Sequence, residues 1–165
     1  MRLLFAKIRV SECYGDITPI DLLDFPGCMF SSTENPAVIR TDFDNQEAWD
    51  TICGLIRAPV HVGDNTFYAH VDLVEDVQYR NQPVGELLRV LPHDYKHSFL
   101  FVVDRDTLSR TDFPLRDLLE LRGRTFRTIP TQVQGIENNL SIANMGFEEF
   151  AEAVDQDGVF RGFQT

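Results

Sequence analysis

The chain has 165 residues, 43% hydrophobic and 25% charged, the length and balance of one ordinary globular domain rather than a disordered segment. A formal charge of -11 and a pI near 4.6 exclude general binding to a phosphate backbone, which needs lysine and arginine to displace counterions. No stretch approaches the ~20 apolar residues needed to cross a bilayer, so neither nucleic acid nor membrane is an expected partner.

The first 36 residues keep no sustained period. "LLFAKIRV" has strand character, and Lys7 and Arg9 interrupt its apolar run before a secretory h-region can form. Gly15, Pro19, Pro26, Gly27 and Pro36 then punctuate the chain, which reads as an irregular N-terminal extension over 1–36 ahead of a domain over 37–165. Cys13, Cys28 and Cys53 are odd in number without CxxC spacing, the pattern of reduced thiols in the cytoplasm.

From Ala37 the pattern sharpens. "AVIRTDF" predicts a strand, and "DNQEAWDTICGLIRAP" a helix with Asp44 as N-cap, Glu47 three residues on, and Pro59 past its end. Trp49, Ile52, Cys53 and Ile56 recur at i, i+3, i+4 and i+7, so one helix face is apolar and docks on a sheet. "FYAHVDLVED" predicts a second strand, and "PVGELLRVLP" a short helix with Pro83 in its first turn. The unbroken apolar run Phe99 to Val103 predicts a strand covered on both faces. "FPLRDLLEL" reads as another short helix, and "GRTFRTIP" as a strand entered through Gly123.

A last helix follows from Phe147, Phe150, Ala151 and Val154 on one side and Glu148, Glu149 and Glu152 on the other. Asn144 is placed to cap it, and Gly158 to end it in a left-handed turn. "DQDG" fails as a calcium loop: with Asp155 and Asp157 at positions three and five, Ala153 and Gln164 would occupy the first and twelfth. Asn138 and Asn139 are suited to bonding loop backbone between the last strand and this helix, with ligand contact as the alternative.

"RTDF", "HSFLFVVDRDTL" and above all "ENNLSIANMGFEEFAEAVDQDGVFRGF" resemble an uncharacterised bacterial family, common in actinomycetes and known as a domain of unknown function. The resemblance covers about residues 37–163. It implies a bacterial, cytosolic domain and carries over no catalytic or binding residue.

The alternation of strands and helices predicts a single α/β domain with a mostly parallel sheet of four to five strands. In such a sheet Asp42, Asp76 and Asp104 fall at strand ends on one edge, the usual ligand crevice, where converging carboxylates can hold Mg2+. Capping and solvation are the competing role for the same residues. No phosphate loop, dinucleotide fingerprint, nucleophile elbow or HExxH arrangement is present, and His93 and His97 alone do not make a metal site. Cys53 falls on the buried helix face, where thiols are inert. Arg116, Arg122, Arg124 and Arg127 are expected to pair internally with the surplus acids. The expected function is a non-catalytic interaction or regulatory module without cofactor, meeting a basic protein through an acidic surface. The alternative is a Mg2+-dependent phosphoryl-transfer or phosphate-binding domain on the three aspartates, and Asn138, Asn139 and Asn144 are further binding candidates. Oligomeric state is not legible.

Overall fold

Phe99–Val103 is the hinge of the architecture, because its five residues are all buried and alternate between two cores. Phe99, Phe101 and Val103 face one side of the sheet, Leu100 and Val102 the other, as the two-residue period of a strand requires. The computed structural model describes residues 33–92, 94–119 and 124–164, so the expectations for residues 1–32, His93, Arg122 and Gly123 lie outside it.

The main sheet has six strands: β1 (Ala37–Arg40), β4 (Asp72–Val74), β5 (Phe99–Val103), β6 (Leu115–Leu119), β7 (Arg124–Thr128) and β8 (Val159–Phe160). Their order is β4-β1-β5-β6-β7-β8. All run the same way except β6, which is antiparallel to both neighbours. The single α/β domain therefore stands, with a six-stranded mixed sheet in place of four or five strands. A separate hairpin joins β2 (Val60–Val62) and β3 (Asn65–Phe67). Gly63, at φ +59, takes the first of its two turn positions, where a tight hairpin needs a left-handed residue.

Helices cover both faces. On one, α1 (Gln46–Arg57) buries Trp49, Ile52, Cys53 and Ile56, joined by α4 (Val133–Ser141) and α5 (Phe147–Glu152). On the other, α2 (Val84–Val90) and a 3-10 turn at Val77–Tyr79 bring Leu87 and Tyr79 against Ala37, Ile39, Leu100 and Val102. A short α3 (Arg105–Ser109) follows β5. At the far end, Phe126 of β7, Phe147 and Phe150 of α5, and Phe160 of β8 form an aromatic cluster, with ring centroids 5.0 Å apart for Phe126 and Phe147 and 5.3 Å for Phe150 and Phe160. Edge-to-face contacts of this kind add to simple burial.

Several local expectations change. Asn45, not Asp44, caps α1, its side chain accepting from the Ala48 N–H at 3.0 Å, while the Asp44 N–H donates to Asp42 Oδ1. Pro83 is the N-cap of α2 rather than its first helical residue. "FPLRDLLEL" is strand β6, because β5 and β7 satisfy its backbone on both sides and tertiary pairing overrides a short ambiguous period. Gly146 caps α5 in place of Asn144, with Glu149 reaching back to its N–H at 2.7 Å. Gly158, at φ +77, makes the turn before β8 instead of ending the helix, which stops at Glu152. Among the described residues no helix is long and apolar enough to cross a membrane.

Candidate functional site

The chain leaves β1 for β4 on one side of it and reaches β5 on the other, with α1 and α2 on opposite faces. The carboxyl edge between β1 and β5 is thus a topological switch point, the usual crevice of an open α/β sheet. A cleft of about 420 Å³ lies there, lined by Thr41, Asp42, Asn81, Gln82, Asp104 and Arg105. Asn81 holds a left-handed φ of +58, tolerable for asparagine, and its N–H donates to Thr41 O at 2.8 Å to close the wall.

Two of the three strand-end aspartates, Asp42 and Asp104, line this cleft. Both are already committed. Asp42 is 5% exposed; its Oδ1 accepts from the Asp44 N–H at 2.8 Å and its Oδ2 from Arg105 Nε at 3.2 Å. Asp104 caps α3 through the Thr107 N–H at 3.0 Å and pairs with Arg127 at 2.8 Å and Arg116 at 3.5 Å. Burial pushes its carboxyl up, but hydrogen bonds from Arg127 and Thr107 outweigh that and hold it below the ordinary aspartate range. Asp76 does not line the cleft. It caps the 3-10 turn, accepting from the Gln78 N–H and side-chain amide, each at 3.0 Å. Among the described residues no group of three or more His, Cys, Asp or Glu side chains is placed to hold a metal ion.

Ion pairs extend along the same edge. Arg40, 1% exposed at the end of β1, pairs with Glu75 past β4, donates to Asp42 O at 2.8 Å, and packs its guanidinium over Phe43 and Trp49. At the β8 end, Arg161 gathers Asp112, Asp155 and Asp157, and Arg110 joins Asp112 and Asp157. These contacts lower the Asp157 carboxyl, Arg161 first and Arg110 second. The "DQDG" aspartates therefore serve two arginines. Arg116, Arg124 and Arg127 pair internally, Arg124 with Glu148. Among the described residues this edge is a seam of acids and arginines paired with one another.

The three asparagines have separate settings. Asn138 and Asn139 belong to α4, not to a loop. Asn139 donates its amide to Gly135 O at 2.7 Å, one helical turn back, and accepts from the Asn144 amide at 2.6 Å, so this pair fastens the α4–α5 connection. Asn138 lines a different pocket, at the edge where β1, β4 and β5 begin. Neither this pocket nor α4 was foreseen from the residues, although Val133, Ile136 and Leu140 at i, i+3 and i+7 carry a helical signal.

The family described as Domain of unknown function (DUF6924) matches residues 35–163, and the chain belongs to it. No curated protein and no solved structure shows significant similarity to the chain.

Proposed function

We propose that this DUF6924 member is a cytoplasmic, non-catalytic interaction module whose acidic surface engages a basic protein. One observation carries the reading: among the described residues, every arginine other than Arg57 is tied into an ion pair with the domain's own acids. The positive charge is spent on holding the fold, and the surplus acids face solvent. Of the strand-end carboxylates, which would serve a metal or a proton transfer, Asp42 and Asp104 are paired with arginines and Asp76 is bonded to Gln78.

The contact face this reading favours lies along α1. Glu47 and Asp50 are exposed at i and i+3 on one side of the helix, and Glu75 stands across from it past β4. Between Asp50 and Glu75 runs a groove of about 360 Å³, lined also by Trp49, Leu73 and, at the end of the helix, Arg57, and Gly54 leaves it open, since a Cβ there would meet nothing within 4 Å. Trp49 and Leu73 give the groove an apolar floor for the stem of a lysine or arginine, and Asp50 offers the carboxylate for its head, since Glu75 is already bonded to Arg40 and Trp49. The test is binding of a lysine- and arginine-rich peptide to the whole chain. Wild type should capture it, and Asp50→Lys should shift preference to a glutamate-rich peptide. Equal capture of both peptides by wild type would refute the reading.

A further inference from the structure

Among the described residues the charged side chains more than nine-tenths buried are Arg40, Asp42 and Glu137. Arg40 is neutralised by Glu75 and Asp42 by Arg105. Glu137, 4% exposed, has no ion pair among the described residues. It accepts two hydrogen bonds from neutral donors, the His70 backbone N–H at 3.2 Å to Oε2 and the Ser141 hydroxyl at 2.9 Å to Oε1. A carboxylate offers about four acceptor positions, so about half remain open. A buried charge without a countercharge is costly, which is why such groups are ordinarily paired or set against a ligand.

Glu137 borders the pocket at the amino edge of β1, β4 and β5, whose volume is about 450 Å³. That lies within the range of small-molecule sites. Lys96, exposed, lines the same pocket, as do His97 and Asn138. His97 Nε2 stands 3.0 Å from the Glu34 carbonyl oxygen, which makes that nitrogen the donor and commits it away from a ligand. One cavity therefore holds a buried anion with spare acceptor positions and a cation with spare donors. We propose that it binds a small zwitterion of the free amino acid class, the ammonium on Glu137 and the carboxylate toward Lys96. The pocket shares no residue with the α1 groove, so the two proposals stand or fall separately.

The test is thermal shift and calorimetry on the whole chain with each proteinogenic L-amino acid, using ethylamine and acetate as single-charge probes. At least one amino acid should raise Tm and bind saturably. Glu137→Gln should weaken it by about tenfold or more, the loss expected when a charge-assisted hydrogen bond goes. Asn138 is exposed, so Asn138→Trp obstructs the pocket from outside and should block binding without disturbing the core. Lys96→Ala should weaken the amino acid more than ethylamine. The proposal is overturned if no amino acid binds, if ethylamine binds and no amino acid does, or if Asn138→Trp, shown folded by circular dichroism, binds as well as wild type.

Discussion

Asp104 Oδ2 lies 2.8 Å from Arg127 Nη2, so the residue after β5 is locked to β7 across the width of the intervening β6. Arg116 of β6 joins the same carboxylate at 3.5 Å, and its other oxygen caps α3. One side chain thus holds the single antiparallel strand of the main sheet between its two neighbours and starts the next helix.

Replacing Asp104 should therefore cost stability rather than a ligand. Asn is a competent N-cap, so Asp104→Asn chiefly removes the ion pairs, about 1–2 kcal/mol for a partly exposed group. Asp104→Ala should cost about 1 kcal/mol more for the lost cap. Urea unfolding measures both. Magnesium at millimolar concentration should leave Tm unchanged in wild type, because Arg105, the Asp44 N–H, Arg127 and Thr107 already occupy the oxygens an ion would need. A rise in Tm that Asp104→Asn abolishes would make the cleft a metal site.

Stability should fall at low pH. Burial raises the carboxyls of Asp72, Asp104 and Asp112, but hydrogen bonds outweigh it and hold each below the ordinary value of 3.8: the Asn35 and Glu34 amides for Asp72, Arg127 and Thr107 for Asp104, and Arg161 and Arg110 for Asp112. Asp157 is lowered as well. The unfolded chain then binds more protons than the native one below that value, so stability rises with pH there. The contribution is complete above about pH 5 and disappears as pH drops through the folded values. Tm against pH should be steep below about pH 4 and less so in high salt, which screens the exposed pairs. A Tm equal at about pH 5 and pH 3 would contradict the seam's role.

Cys53 should be unreactive in the native state. Burial, the largest influence, pushes its thiol up to about 11, so little thiolate exists near neutral pH. Iodoacetamide labelling mapped by mass spectrometry should be slow at Cys53 in buffer and fast in urea. Rapid native labelling would mean that the helix α1 face opens.

The sequence made the strongest periodic features legible and missed those decided by tertiary contact. Phe99 to Val103 could be assigned because five consecutive apolar residues suit burial on both faces, and α1 because Trp49, Ile52, Cys53 and Ile56 repeat at helical spacing. β6 looked helical because Leu115, Leu118 and Leu119 match i, i+3 and i+4 equally well, and only its partners decide otherwise. The β2–β3 hairpin carried a signal, two short runs separated by Gly63 and Asp64. Asp42 and Asp104, both at strand ends, line one cleft, yet nothing in the residues tells which arginines occupy them. The burial of Glu137 was illegible for the same reason: α4 was disguised by Gly135 and two asparagines, and its pocket is assembled from segments more than sixty residues apart.

Calorimetric titration of a lysine- and arginine-rich peptide into three forms of the chain tests the central claim most directly: that strand-end acids hold the fold while surface acids make the contact. Wild type should bind with affinity that falls as salt rises, Glu47→Lys/Asp50→Lys should lose binding, and Asp104→Asn should bind like wild type despite its lower Tm. Loss of binding in folded Asp104→Asn with retention in the surface variant would contradict it.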